Sequence, residues 1–366
     1  MTETADITII GGGIIGLLTA REFRLAGATV MIVEKNLLGQ EASWAGGGIL
    51  LPLYPWRQAD AITRLILQSL KLYPPLAAQL IAETGIDPEW TPCGLLITKN
   101  PDIAAAVNWC QINAIPFQKA GADFFKALNT SPDNPLWLPE IAQARNPRLV
   151  KSVKQDLINK GVAIREQCEV KALTLAKDHI TAIQTTGGQF AVNQLIISAG
   201  AWTGKLFREL FPVLAGEAPD IIPVKGQMLL FDATPATLPY MVLDEDHYLI
   251  PRRDGKILAG STVELNDFNK TTSMEARNQL TDFALNLMPS LKNFPIIKHW
   301  AGLRPGTEQG VPYIDKHPEI VNLGINAGHF RNGLAMGPAS AQLMVDLILN
   351  RPPAISPEPY KLSSPH

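Results

Sequence analysis

The chain has 366 residues, with 34 acidic against 32 basic side chains and a net charge of −2. That length suffices for two domains, and the charge balance lacks the basic surplus of a nucleic-acid-binding surface. Three scattered cysteines, Cys93, Cys110 and Cys168, form no Cys-x-x-Cys pair, and no two of the six histidines lie four apart, so neither a redox disulfide nor a metal centre is indicated. Glu3 and Asp6 precede the first apolar run, where a secretory leader would be basic. No segment has the ~20 apolar residues of a membrane span, and the expectation is a cytoplasmic protein.

Ile7-Thr8-Ile9-Ile10 predicts a buried parallel strand, followed by Gly11-Gly12-Gly13-Ile14-Ile15-Gly16 as Gly-x-Gly-x-x-Gly. In this pattern Gly11 permits a tight turn and Gly13 lets a pyrophosphate approach the backbone. Gly16 lets the next helix, 14–26, pack on its strand, and the amides at the helix start would hold the diphosphate. A second strand, 29–33, ends at Glu34, 23 positions after Gly11. A carboxylate there accepts hydrogen bonds from ribose hydroxyls, a requirement that an ordinary glycine-rich turn does not have. The segment 43–49 follows, and its three successive glycines, Gly46 to Gly48, suggest close backbone approach to a second, planar part of the cofactor. No later strand is followed by another Gly-x-Gly-x-x-Gly, which argues against a separate nicotinamide site and makes FAD the expected cofactor.

Residues 60–73 carry Ile62, Leu65, Ile66, Leu70 and Tyr73 on one helical side. Pro74-Pro75 is expected to interrupt this helix, which resumes over 76–83. A strand at 94–98, a helix at 103–112 and a helix at 147–160, with Pro147 near its start and Gly161 past its end, come next. Strand pieces follow at 162–164, 169–175, 179–185 and 189–192, with a Gly187-Gly188 turn. The β run 194–198 then ends in Ala199-Gly200-Ala201-Trp202, and such strand ends gather ligands in an open α/β sheet. Residues 221–265 read as antiparallel strands, clearest at 224–231, 247–251 and 256–264. A helix at 273–288, strands at 296–303 and 320–325, and a helix at 333–349 complete the chain.

The ends are therefore α/β and the middle α+β. The expected fold is a discontinuous Rossmann-like FAD-binding domain (1–90, 144–214 and 303–366) with an inserted substrate domain (91–143 and 215–302) built on a large antiparallel sheet.

Three segments can carry chemistry. Arg304, beside a Pro305-Gly306 turn, could bind a carboxylate through two parallel hydrogen bonds, although a lone arginine is more often a surface group or a structural ion pair. Tyr248 alternates with His247 and Leu249 along its strand and could offer a hydroxyl to a substrate, a half-buried core tyrosine being the plainer role. The loop 327–334 opens a helix whose positive end could face an electron-rich ring. Lys225-Gly226-Gln227 is assigned no catalytic role.

Seven pieces in order, GGGIIG at 11–16, VEK at 33–35, EASWAGGGIL at 41–50, SAGAW at 198–202, HYLIPR at 247–252, WAGLRPGT at 300–307 and GHFRNGLAMGP at 328–338, resemble the D-amino-acid-oxidase-like flavoproteins, and among them the branch that oxidises glycine. The resemblance spans almost the whole chain. It implies that Arg304 clamps a substrate carboxylate, that Tyr248 adds a hydroxyl contact and that Arg331 is a second arginine near the carboxylate and flavin. No side chain is implied as an obligatory base. FAD contacts are implied for Gly11, Gly13, Ile14, Ile15, Gly16, Glu34, Lys35, Ala42, Ser43, Gly47, Gly48, Ile49 and Val170, and for His329, Phe330, Arg331, Asn332, Gly333, Leu334 and Ala335 around the flavin. Val263 takes a pocket-wall position that is often methionine. The FAD is expected to be noncovalent, because the 41–50 segment has no histidine and no cysteinyl attachment motif stands out.

The implied activity is hydride transfer from glycine, sarcosine or small D-amino acids to the flavin. The products are an imine or glyoxylate, ammonia or methylamine, and hydrogen peroxide from oxygen. The resemblance also implies a supply to thiazole synthesis for thiamine, hence a functional link to thiazole synthase, and it allows a homo-oligomer. A D-amino-acid dehydrogenase that passes electrons to a quinone, and a flavin-binding regulator without turnover, are the alternatives at this point.

Overall fold

A computed structural model describes residues 4–265 and 268–366, so Glu3 lies outside the described residues. The first of two large sheets has the order Tyr313–Lys316, Leu323–Ala327, Gly188–Ile197, Thr4–Ile10, Val30–Val33 and Ala163–Arg165, with the strands His179–Thr185 and Val170–Ala176 extending from Gly188–Ile197. The five strands from Leu323–Ala327 to Ala163–Arg165 are parallel. Thr4–Ile10 lies centrally, and the chain moves to opposite sides of it for the second and the later strands. Ligands bind at the carboxyl ends beside such a switch point. The two strand pieces expected at 189–192 and 194–198 are one strand, Gly188–Ile197. Its first half pairs antiparallel with His179–Thr185, while from Ala191 onward it pairs parallel with the central strand, so a single extended run serves both partners.

Three helices, Ile14–Leu25, Asp60–Thr84 and Gly333–Ile348, cover one face of this sheet around a core that includes Leu17, Phe23, Leu65, Tyr73 and Met344. The Asp60–Thr84 helix is unbroken, contrary to the interruption expected at Pro74-Pro75. Both prolines are exposed, while Tyr73, Leu76, Ala77 and Leu80 are buried. The carbonyls deprived of partners by the prolines therefore lie toward water, and packing on both sides offsets the ~3 kcal/mol cost of an interior proline.

The second sheet runs Glu264–Leu265, Ile222–Phe231, Ile257–Gly260, His247–Pro251, Met241–Asp244, Leu95–Ile97, Leu136–Leu138 and Gln118–Lys119, with Ile296–Gly306 also paired to Ile222–Phe231. It is antiparallel except where Met241–Asp244 runs parallel to Leu95–Ile97. Strand alternation sends Leu229, Val242, Leu249 and Ala259 to one face, under the helix Met274–Leu287. Met228, Tyr248, Ile250 and Leu258 point to the other face, toward the first core. No helix among the described residues is long and apolar enough to cross a membrane.

A buried ion pair joins the helix Ile14–Leu25 to a further helix, Asn146–Asn159, and a hydrogen bond ties it to Asp60–Thr84. The Arg21 Nε donates to Asp156 Oδ2 at 2.9 Å with exposures of 3% and 0%, and its Nη2 donates to Gln79 Oε1 at 2.9 Å. Lys160 is a second partner of Asp156 at 2.5 Å. Removing one member of a buried pair costs about 3–5 kcal/mol. With Lys160 retained, Arg21→Met is expected to lose about 3 kcal/mol in urea unfolding, and Arg21→Met/Asp156→Leu should recover most of that loss. A double variant no more stable than the single would remove the ion pair from this account.

Candidate functional site

The carboxyl ends of the parallel strands and the inner face of the second sheet enclose a cavity of about 500 Å³, within the range of small-molecule sites. Its first wall is the turn after Thr4–Ile10. Gly11 has φ +110°, and a Cβ there would stand 2.3 Å from the Ser198 carbonyl oxygen, so no other residue fits between the two strand ends. A Cβ on Gly16 would meet the Gly11 carbonyl at 2.0 Å, which is why the helix Ile14–Leu25 can approach so closely. The Ser43 hydroxyl, from a distant segment, accepts a hydrogen bond from the Ile14 amide at 2.8 Å and satisfies a donor that the helix start leaves free. Glu34 accepts from the Gly12 amide with Oε2 and from the Asn36 amide with Oε1, each at 2.8 Å. Its carboxylate is thereby fixed at the cavity edge with lone pairs to spare.

The second wall is Gly46-Gly47-Gly48, held from behind by polar side chains. Arg252 is buried, donating from Nη2 to the Gly47 carbonyl at 2.8 Å and from Nη1 to Gln143 Oε1 at 2.5 Å. Burial pushes its pKa down to about 10. Asn146 donates to the Ser43 carbonyl at 2.9 Å and Trp300 to the Ala45 carbonyl at 3.0 Å. Sequence reasoning gave Arg252 and Asn146 no role. Asn146 just ahead of Pro147 has the look of a helix cap, and nothing local shows that its amide reaches a segment a hundred residues away.

At the far end Arg304, Tyr248 and Arg331 line the same space. Arg304 donates from Nη1 to the carbonyls of Lys225 at 3.3 Å and Thr262 at 3.2 Å, and from Nη2 to the Ser261 hydroxyl at 2.7 Å. Its guanidinium lies over Gly226, where a Cβ would meet Nη2 at 2.2 Å and Cζ at 2.4 Å. Lys225-Gly226-Gln227, given no role from the sequence, is thus the floor of this corner. Burial lowers the Arg304 pKa most, and Arg331 adds to that, while the neighbouring Tyr248 hydroxyl opposes it. Two guanidinium groups facing one space make a corner suited to an anion.

The loop at 327–334 closes the top. The Leu334 carbonyl accepts from the Tyr73 hydroxyl at 2.6 Å, and Gly333 and Leu334 open the Gly333–Ile348 helix onto the cavity. His329 is 1% exposed, and burial pushes its pKa down to about 3, so the ring is neutral at physiological pH.

Most of the expected cofactor positions line this cavity: Gly11, Gly13, Ile14, Ile15, Glu34, Lys35, Ala42, Ser43, Gly47, Gly48, Ile49, Val170 and His329 through Leu334. Gly16 and Ala335 do not, since the first packs helix on strand and the second is buried in the core beneath the loop. Val263 also lies outside the cavity, 49% exposed. Thr262 on one side and Glu264 on the other turn into a polar network with Gln227, so alternation aims Val263 outward. Met228 and Ser261 line the cavity without having been singled out, and Trp202 lines it from the strand end expected to gather ligands.

Four polar atoms on cavity-lining residues, Ser198 Oγ, Asn146 Oδ1, Asn326 Oδ1 and His329 Nε2, are buried without a hydrogen-bond partner. Native interiors rarely leave such groups unmatched, and their distribution beside the glycine turns and the loop fits a polar, elongated group such as FAD. Gly11 and the Ile14 helix start would take its diphosphate, Glu34 a ribose, and the Gly46–Gly48 run and the 328–334 loop its ring system.

The model of the FAD dependent oxidoreductase family matches residues 6–347. A glycine oxidase of Pseudomonas putida KT2440 is 41% identical over 360 residues, 97% of each chain. A bifunctional ThiO/ThiG protein of Synechocystis sp. is 31% identical over 361 residues, 96% of this chain and 52% of that protein. The crystal structure of glycine oxidase from Geobacillus kaustophilus superposes with a TM-score of 0.92 at 27% identity, covering 99% of both chains.

Two outcomes follow from this geometry. Gly226→Ala should displace the Arg304 guanidinium, weakening carboxylate binding at least tenfold in a titration while flavin content stays near normal; unchanged binding would mean that the arginine does not need this floor. For His329, the unfolded chain takes up a proton near pH 6.5 that the folded protein refuses until about pH 3. Its stability contribution is therefore complete above pH 6.5 and falls as the pH drops below it, by about 2 kcal/mol between pH 7.5 and 5. Urea unfolding of His329→Gln should show an acid loss smaller by that amount, and an identical pH dependence would contradict the assignment.

Proposed function

The chain belongs to the FAD-dependent oxidoreductase family, and from that premise we propose that it oxidises glycine, together with sarcosine and small D-amino acids, using noncovalently bound FAD. The observation that carries this reading is the half-buried Arg304 guanidinium beside Tyr248 and Arg331, at the end of a cavity whose other end is a dinucleotide turn.

Bound FAD supplies the acceptor for the two electrons of the amine. Arg304 takes the substrate carboxylate as a charge-assisted pair and Tyr248 adds a hydroxyl, so the α-carbon is held in one orientation, a positioning effect. Arg331 adds positive charge at the same corner. His329, neutral and a very weak base, cannot serve as a strong proton acceptor, which supports a reaction that starts from the neutral amine without an obligatory side-chain base. With glycine the overall reaction consumes oxygen and water and yields glyoxylate, ammonia and hydrogen peroxide.

We assign cofactor binding to segments 1–90, 144–214 and 303–366, and substrate binding to 91–143 and 215–302, with Arg304 reaching the substrate from Ile296–Gly306, a strand that crosses the boundary and pairs within the second sheet. The bifunctional ThiO/ThiG relative, matched over about half its length, supports the link to thiazole synthase and thiamine formation.

Anaerobic glycine should bleach the yellow protein, and air should restore the colour with one peroxide per glycine; colour that persists under glycine would defeat the reading. Arg304→Ala should raise KM strongly and lower kcat at normal flavin content, a loss of about 2–5 kcal/mol in kcat/KM. Arg304→Lys, which keeps the charge but not the fork, should remain impaired. Wild-type kinetics in Arg304→Ala would return this residue to a structural role.

A further inference from the structure

A guanidinium has five N–H donors in a fixed plane. In Arg304 three of them are committed to the protein. Both Nη1 donors go to the carbonyls of Lys225 and Thr262, and one Nη2 donor goes to the Ser261 hydroxyl at 2.7 Å. The Tyr248 hydroxyl lies against the same guanidinium, and the donors not taken by Lys225, Thr262 and Ser261 are those available to a carboxylate in the cavity that Arg304 and Tyr248 both line.

The two carbonyls hold Nη1 and leave the plane free to tilt about their side of the group. The third contact, from Nη2 to the Ser261 hydroxyl, together with Gly226 beneath the plane, fixes the direction in which the remaining donors point. Ser261 is 6% exposed and lines the cavity. Its neighbour Thr262 is tied into the separate network with Gln227 and Glu264, which anchors the segment independently of the serine hydroxyl.

We propose that Ser261 is a positioning residue for substrate recognition: its hydroxyl locks the Arg304 plane so that the remaining donors meet the carboxylate. The inference rests on the reading of Arg304 as the carboxylate clamp. It predicts that Ser261 affects every carboxylate ligand alike, whatever its side chain, because it acts on the arginine and not on the substrate.

The test uses the flavin-loaded enzyme and glycolate, a simple carboxylate that cannot donate an amine, titrated by its perturbation of the flavin spectrum. Ser261→Ala should weaken glycolate about tenfold and raise the KM for glycine and sarcosine by a similar factor, with kcat changed less than threefold and with Tm and flavin content unaltered. Ser261→Cys, which keeps the shape but offers a weaker acceptor, should fall between the two. In an Arg304→Ala background the additional Ser261→Ala change should have no effect on glycolate binding. Wild-type glycolate affinity in Ser261→Ala, with Arg304→Ala impaired, would overturn the proposal alone. A tenfold loss that persists in the Arg304→Ala background would overturn it in favour of direct contact between the serine and the ligand. If Arg304→Ala itself binds glycolate normally, the clamp reading falls and the proposal falls with it.

Discussion

The site depends on a close approach of two strand ends: Gly11 sits where a Cβ would be 2.3 Å from the Ser198 carbonyl oxygen. Because that contact is allowed, the central strand Thr4–Ile10 and its parallel neighbour Gly188–Ile197 end side by side, and the helix Ile14–Leu25 turns directly over them. The cavity follows, since its lining comes from these ends, from Glu34 at the end of the next strand and from the loop after Leu323–Ala327. A bulkier residue at Gly11 would separate the strands and move the helix start that faces the diphosphate position.

The two sheets are joined through buried polar contacts as well as apolar packing. Arg252 leaves the second sheet and holds the Gly47 carbonyl, and Trp300 reaches across to the Ala45 carbonyl. Removing a buried cation's partners costs more than the pair contributes, so these contacts set a register between the sheets. That register matters for chemistry because Tyr248 and Arg304 belong to the second sheet, while the cofactor wall belongs to the first. The surface between them is where the α-carbon of a substrate would meet the ring system.

The electrostatics of the site are arranged by burial. His329 is kept neutral, and Arg304 is partly desolvated with most of its donors already committed. An arginine held in place loses little freedom on binding, and the water displaced from its remaining edge is replaced by a charged partner. In this chain Met228 and Ser261 belong to the wall, and Val263 points away from it.

The parts that depend on local pattern were legible in the chain itself. Glycine spacing marked the dinucleotide turn and apolar periodicity marked the strands and helices, while the family resemblance of the 300–307 and 328–338 segments pointed to the far end of the site. Local rules misread Pro74-Pro75, because the helix through them is stabilised by tertiary burial of Tyr73, Leu76 and Leu80. The family resemblance placed Val263 in the pocket wall, whereas the hydrogen bonds of Thr262 and Glu264 to distant Gln227 turn it outward. What the sequence by itself determined is the identity and order of the chemical groups, which short-range spacing encodes. What only the tertiary structure decided is which distant groups meet: Gly226 under Arg304, Ser261 on its edge, Arg252 on Gly47. Those pairings lie between 43 and 205 residues apart along the chain, and they form only when strand register and sheet packing bring them within a few ångströms.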